Sequence, residues 1–88
     1  MKILLIEDDS SVSSFVNKGL KESGFEVTVA MNGQQGIDFS AKSLFDLIIL
    51  DIMLPDINGI DVCKEIRKTK EKVPILLLTA LGSAENVV

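Results

Sequence analysis

The stretch Leu47-Ile48-Ile49-Leu50-Asp51 places four consecutive apolar residues directly before a carboxylate. A second run of the same kind, Ile3-Leu4-Leu5-Ile6, is followed by the acidic triple Glu7-Asp8-Asp9. Short continuous apolar runs are typical of parallel strands that are buried on both faces. The sequence therefore predicts two interior strands whose carboxyl ends carry acidic residues.

The rest of the chain alternates between strand and helix patterns. Residues 25–30 alternate apolar with polar side chains, which indicates an edge strand, and Ile75-Leu76-Leu77-Leu78 predicts a fourth, interior strand. Asp9, Ser10 or Ser11 can cap a first helix, in which the inward side chains are predicted to be Val12, Phe15, Val16 and Leu20. A second helix is predicted to start at Asn32-Gly33, and a third to bury Val62, Cys63 and Ile66.

This alternation predicts an α/β fold, a doubly wound parallel sheet with helices on both faces and strand order 2-1-3-4. Ligands of such sheets bind beyond the carboxyl ends of the strands, where the direction of winding reverses. That position lies between strands 1 and 3, so we expect Glu7, Asp8 and Asp51 to converge there. Thr79 ends strand 4 and is expected at the same edge, although a strand-end cap is the simpler role for a single threonine.

Converging carboxylates predict a cation site, since like charges raise one another's pKa unless a counter-ion is present. The chain has no histidine and one cysteine, which excludes the usual zinc ligand sets. Oxygen ligands favour Mg²⁺, which commonly keeps positions for phosphate oxygens. The pattern thus predicts Mg²⁺ and a phosphoryl-accepting aspartate, Asp51. Asp9 lies nearest the first helix and is assigned to its N-cap instead.

Composition excludes several classes of protein. A net charge of −4 argues against direct contact between this segment and nucleic acid. A single cysteine, Cys63, permits no internal disulfide and is expected to be buried, with no histidine to activate it. No apolar run approaches the roughly 18 residues of a membrane span, and the N-terminus does not have the pattern of a signal peptide. We therefore expect a cytoplasmic protein.

Three motifs together resemble the receiver domain of bacterial two-component response regulators. They are residues 6–9 (IEDD), residues 50–59 (LDIMLPDING) and residues 78–80 (LTA), and the Met-Leu-Pro turn is most similar to the winged-helix transcription-factor subfamily. The resemblance implies a flavodoxin-like fold over residues 1–88 and the role of a non-enzymatic switch that controls an output such as transcription. It implies that Asp51 accepts a phosphoryl group from a sensor histidine kinase.

The resemblance also implies roles for the other site residues. Glu7 and Asp8 would be the acidic pair that binds Mg²⁺ together with Asp51, with Asp8 a direct ligand and Glu7 acting largely through water. Met53 would supply a backbone carbonyl to the metal, and Thr79 would be the hydroxyl that moves toward the phosphoryl group. Pro55 and Gly59 would shape the loop after Asp51.

The sequence departs from the family pattern after strand 4. A receiver domain continues through a fourth helix, a fifth strand and a fifth helix, and it has a lysine beyond the position of Thr79. None of these is expected within the 88 residues, so we predict a receiver domain that is incomplete at its C-terminus. Strand 4 would then be an apolar edge, which favours pairing with a second copy as a homodimer or a swapped oligomer.

Alternative functions remain at this point. Haloacid dehalogenases also use an aspartate after a strand, but they need an acid two residues later, where this chain has Met53. A nucleotide-binding fold needs a glycine-rich loop after strand 1, which is absent from the sequence. A receiver-like interaction module that works without phosphorylation stays open.

Overall fold

The computed structural model describes residues 1–78 and the backbone of residues 84–87. Strands and helices alternate as predicted up to the fourth strand. In chain order the elements are β1 (Lys2–Ile6), α1 (Ser10–Glu22), β2 (Glu26–Ala30), α2 (Gly33–Lys42), β3 (Leu47–Asp51), α3 (Gly59–Arg67), β4 (Ile75–Leu78) and β5 (Ala84–Val87).

The strands form one sheet in the order β2-β1-β3-β4-β5. The first four are parallel, which confirms the predicted fold class and the order 2-1-3-4. The prediction that nothing in this chain pairs with strand 4 is wrong, because β5 runs antiparallel along it with Leu78 opposite Ala84. The predicted dimer depended on the same free edge and therefore loses its structural basis.

The core has two layers, because successive strand residues point to opposite faces of the sheet. The face under α2 and α3 contains the larger cluster, which includes Leu4, Ile6, Ile48, Leu50, Val62, Cys63 and Ile66. The face under α1 contains Ile3, Leu5 and Ile49, with Val16 and Leu20 packed against them. Cys63 is buried, as predicted. Both interior strands thus have covered faces, which explains their continuous apolar sequences.

Helix α1 is rotated from its predicted orientation. Phe15 is 81% exposed and Val12 is also exposed, so the prediction that both face inward is wrong. The inward positions belong to Ser13, Val16 and Leu20, which share one face at a spacing of three and four residues. Burial of Ser13 is tolerated because its hydroxyl donates to the carbonyl oxygen of Ser10 at 3.3 Å.

Each helix begins just beyond the carboxyl end of a strand, with a polar side chain as its cap. Asp9, rather than Ser10 or Ser11, caps α1, and its Oδ1 accepts the N–H of Ser11 at 2.9 Å. Asn32 Oδ1 accepts the N–H of Gln35 at the start of α2, and Asn58 caps α3 in a similar way. The N-terminal ends of the helices are therefore gathered at the edge of the sheet that carries the acidic residues.

Candidate functional site

Three acidic side chains meet at the carboxyl edge of β1 and β3. Ile6 is the register partner of Leu50, so Glu7 and Asp51 leave the sheet side by side. Carboxylate oxygens of Glu7, Asp8 and Asp51 all lie within 4.8 Å of one another. The convergence expected from the topology is present in the structure.

Glu7 is the buried member of this acidic group, with 5% of its surface exposed. Its Oε1 accepts the N–H of Asp9 at 3.0 Å. The pKa of Glu7 is raised to about 7, with burial as the largest cause. The Asp9 N–H opposes this shift, whereas the neighbouring charges of Asp51 and Asp8 add to it. Without a cation the group therefore carries less than its full formal charge at neutral pH.

Asp51 ends β3 and is held by the loop that follows it. Its Oδ1 accepts the N–H of Met53 at 3.1 Å, which restricts the orientation of the carboxylate. Gly59, the first residue of α3, donates its N–H to the Ile52 carbonyl oxygen at 2.8 Å. A Cβ on Gly59 would collide with the Asp51 carbonyl oxygen and lie 2.5 Å from Ile52 Cα. Only glycine allows α3 to start this close to the backbone of Asp51.

Asp8 is exposed and faces solvent beside the loop. A shallow pocket of about 290 Å³ is lined by Asp8, Met53, Pro55, Asn58 and neighbouring loop residues. The opening gives a small ligand access to the acidic group from solvent. Asp9 takes no part in that group, because its carboxylate caps α1, as assigned from the sequence.

The structure brings together most of the predicted site. Glu7, Asp8 and Asp51 converge, and Met53 contacts Asp51 through its backbone N–H. Thr79 lies outside the described residues, although Leu78 before it is the register partner of Asp51.

Asp56 makes contacts that the sequence did not predict. Its two carboxylate oxygens accept the N–H groups of Gly33 and Gln34, at 2.8 and 3.0 Å. The sequence showed Asp56 only as part of a turn. Because its partners lie 23 and 22 residues earlier in the chain, no local pattern could have identified them.

The sequence predicted no membrane-spanning segment. Among the described residues, no helix is both long and apolar enough to cross a membrane.

Comparisons with protein families, curated proteins and solved structures agree on one family. Residues 3–88 match the response regulator receiver domain. Transcriptional regulatory protein CusR of Escherichia coli (strain K12) is 48% identical over 86 residues, which cover 98% of this chain and 38% of CusR. The chain thus spans well under half the length of this curated relative.

Solved structures agree with that match. Response regulator protein TrrA of Thermotoga maritima, in a crystal structure with Mg²⁺–BeF, is 38% identical with a TM-score of 0.86; the likeness covers 90% of this chain and 69% of TrrA. A crystal structure of histidine kinase ThkA in complex with TrrA gives a TM-score of 0.84 at 38% identity, covering 90% of this chain and 68% of the matched chain.

Proposed function

The chain belongs to the response regulator receiver domain family of two-component systems, and from this we propose that Asp51 accepts a phosphoryl group from a sensor histidine kinase. One observation carries the proposal: the carboxylates of Glu7, Asp8 and Asp51 lie within 4.8 Å of one another at the carboxyl edge of the sheet. A site of this kind is suited to phosphoryl transfer with a bound divalent cation.

The acidic group fits Mg²⁺. Its donors are hard carboxylate oxygens, and Asp8 lines a solvent-accessible pocket. The charges of Asp51 and Asp8 raise the pKa of the buried Glu7, and a cation would offset this repulsion. Bound Mg²⁺ would neutralise these carboxylates and hold phosphoryl oxygens. Asp8 and Asp51 would supply side-chain ligands, Glu7 would act largely through water, and Met53 would supply a backbone carbonyl. The Mg²⁺–BeF complex of TrrA supports this choice of ion.

The residues of the chain prepare Asp51 for in-line attack. The Met53 N–H fixes one carboxylate oxygen, and the close packing of Gly59 fixes the backbone of Asp51. A carboxylate oxygen of Asp51 forms a bond to phosphorus, while the bond between phosphorus and the kinase histidine nitrogen breaks. The product is an acyl phosphate on Asp51 and a free histidine on the kinase.

Thr79 is the proposed switch hydroxyl, which would donate a hydrogen bond to the phosphoryl group on Asp51. Pro55 and Gly59 would set the path of the intervening loop. Asp51 would therefore form the bond to phosphorus, whereas movement of Thr79 toward the phosphoryl group would change the surrounding surface.

A histidine kinase is the proposed partner, supported by the structure of ThkA in complex with TrrA. The relatives are transcriptional regulatory proteins rather than enzymes, so the proposed output is control of transcription, outside the part of the relatives that this chain covers. The proposal places the chain in the cytoplasm, where the free thiol of Cys63 would stay reduced.

The test is to incubate the chain with Mg²⁺ and acetyl phosphate and to measure its intact mass. We expect the wild type to gain one phosphoryl group and Asp51→Asn to gain none. Asp38→Asn is the matched control, because Asp38 is an exposed carboxylate on α2 away from the site. An unchanged wild-type mass, or equal phosphorylation of Asp51→Asn, would contradict the proposal.

A further inference from the structure

The loop between β3 and α3, residues 52–58, carries Met53 and so determines the surroundings of Asp51. At its ends the loop is closed by backbone contacts, because the Ile52 carbonyl oxygen accepts the N–H groups of Leu54 and Gly59. Its middle is different, since Pro55 and Asp56 are both exposed. A side-chain contact from this exposed part would restrain the middle of the loop.

Asp56 provides such contacts to a different element. Its Oδ1 and Oδ2 accept the N–H groups of Gly33 and Gln34, the first two residues of α2. The first N–H groups of a helix have no partner within the helix, and the helix dipole favours a negative charge beside them. These same N–H groups, that of Gln34 first, lower the pKa of Asp56, so the carboxylate is ionised at neutral pH.

The packing around Gly33 shows that helix and loop are in direct contact. A Cβ on Gly33 would lie 2.8 Å from Val62 Cγ2, 3.1 Å from Ile57 Cβ and 3.2 Å from Asp56 Oδ1. Gly33 is buried, and Ile57 packs against the core cluster beneath α2 and α3. The N-terminus of α2 is thus seated on the loop, with no space for an intervening side chain.

A simpler role for Asp56 would be to complete the N-terminal cap of α2. That helix already has a local cap, because Asn32 Oδ1 accepts the N–H of Gln35 at 2.8 Å and Gln35 Oε1 accepts the N–H of Met31 at 2.9 Å. The bonds from Asp56 cross between two parts of the chain. They therefore restrain the loop as well as the helix.

We propose that Asp56 is a positioning residue that holds the loop after Asp51 against the N-terminus of α2 and so keeps Met53 in place beside Asp51. The inference rests on the proposed function for its consequence, since a displaced Met53 would weaken Mg²⁺ binding. The restraint itself is independent of phosphorylation. It makes α2 part of the support of the acceptor site, although none of its side chains belongs to the acidic group.

The experiment compares wild type with Asp56→Ala, Asp56→Asn and Asp38→Ala. The last variant removes an equal charge from the exposed side of α2. Among the hydrogen bonds of the described residues, the Asp38 carboxylate accepts only one, from the Gln34 side chain. Amide signals in nuclear magnetic resonance spectra report the backbone, and calorimetric titration reports the affinity for Mg²⁺. Asp56→Asn keeps one acceptor oxygen, so it should have an intermediate effect, and it serves if Asp56→Ala fails to fold.

In Asp56→Ala we expect the amide signals of Ile52 and Met53 to shift together with those of Gly33 and Gln34. We expect the affinity for Mg²⁺ to fall about fivefold, the scale of coupling for a residue that does not touch the ion. Asp38→Ala should leave the Ile52 and Met53 signals and the affinity for Mg²⁺ unchanged. Unmoved Ile52 and Met53 signals would overturn the inference, and so would wild-type Mg²⁺ affinity in Asp56→Ala.

Failure of the proposed function gives a different result. A wild type that binds no Mg²⁺ and accepts no phosphoryl group would refute that function, while the Met53 signal of the Asp56 variants would still decide whether the restraint exists.

Discussion

Substitution of Gly59 by alanine tests the geometry around Asp51, because two physical effects predict opposite signs. Gly59 is the first residue of α3, and alanine has a higher helix propensity than glycine by about 1 kcal/mol. The added Cβ would, however, collide with the Asp51 carbonyl oxygen and lie 2.5 Å from Ile52 Cα. Both are backbone atoms, which cannot move aside as a flexible side chain can.

We therefore expect Gly59→Ala to lower the free energy of unfolding by about 1–3 kcal/mol, the usual cost of overpacking. The matched control is Gly19→Ala in α1, where an added Cβ meets no atom within 4 Å. That substitution should raise the free energy of unfolding by about 0.5–1 kcal/mol. The chain has no tryptophan or tyrosine, so urea unfolding is best followed by far-ultraviolet circular dichroism.

The same substitution should slow phosphorylation of Asp51 by acetyl phosphate by about tenfold or more, because small displacements of a reacting group are costly. A Gly59→Ala variant as stable as the wild type would refute the steric reasoning. A stable and fully reactive variant would also show that the backbone of Asp51 is not positioned by α3.

Four further substitutions test other parts of the structure. Asp9→Ala should lower the free energy of unfolding by about 1 kcal/mol through loss of the α1 cap while leaving Mg²⁺ binding in calorimetry close to wild type, whereas Asp8→Ala should weaken Mg²⁺ binding without that loss of stability. Arg67→Met should lower the free energy of unfolding by about 1–3 kcal/mol, because Arg67 Nη1 donates to the carbonyl oxygens of Lys70 and Glu71. An unchanged midpoint of urea unfolding would show that these hydrogen bonds do not stabilise the fold. Phe15→Ser should change the free energy of unfolding by less than about 0.5 kcal/mol, since Phe15 is exposed. A large loss of stability would show that Phe15 is buried, as first predicted from the sequence.

The parallel part of the fold could be predicted because interior strands have an unusual sequence. Ile3 to Ile6 and Ile48 to Leu50 are buried almost completely, so each apolar run reflects contact on both faces of the sheet. Strand order followed from the more polar pattern of β2, which is an edge strand. The meeting of Glu7 with Asp51 then required only that parallel strands end at one edge.

Other features depended on contacts that sequence patterns do not contain. In α1, Val12, Phe15 and Val16 have helical spacing, but Ser13 lies on the buried face, where its local hydrogen bond makes burial tolerable. Strand β5 has the sequence Ala-Glu-Asn-Val, which has no clear apolar period, and it is a strand because it pairs with β4.

In the candidate site, too, residues placed by strand ends could be predicted, whereas contacts between distant parts of the chain could not. The acidic ligands follow directly from strand ends, whereas Asp56 acts on residues of α2 more than twenty positions earlier. A long-range hydrogen bond of this kind is a product of the fold and becomes visible only when α2 and α3 are packed side by side.

Phosphorylation of Asp51 is tested most sharply by locating the phosphoryl group. After incubation with acetyl phosphate and Mg²⁺, borohydride reduction converts an aspartyl phosphate into a stable derivative that peptide mass mapping can assign. We expect Mg²⁺-dependent modification of Asp51 and of no other aspartate. Modification at another carboxylate, or none with Mg²⁺ present, would contradict it.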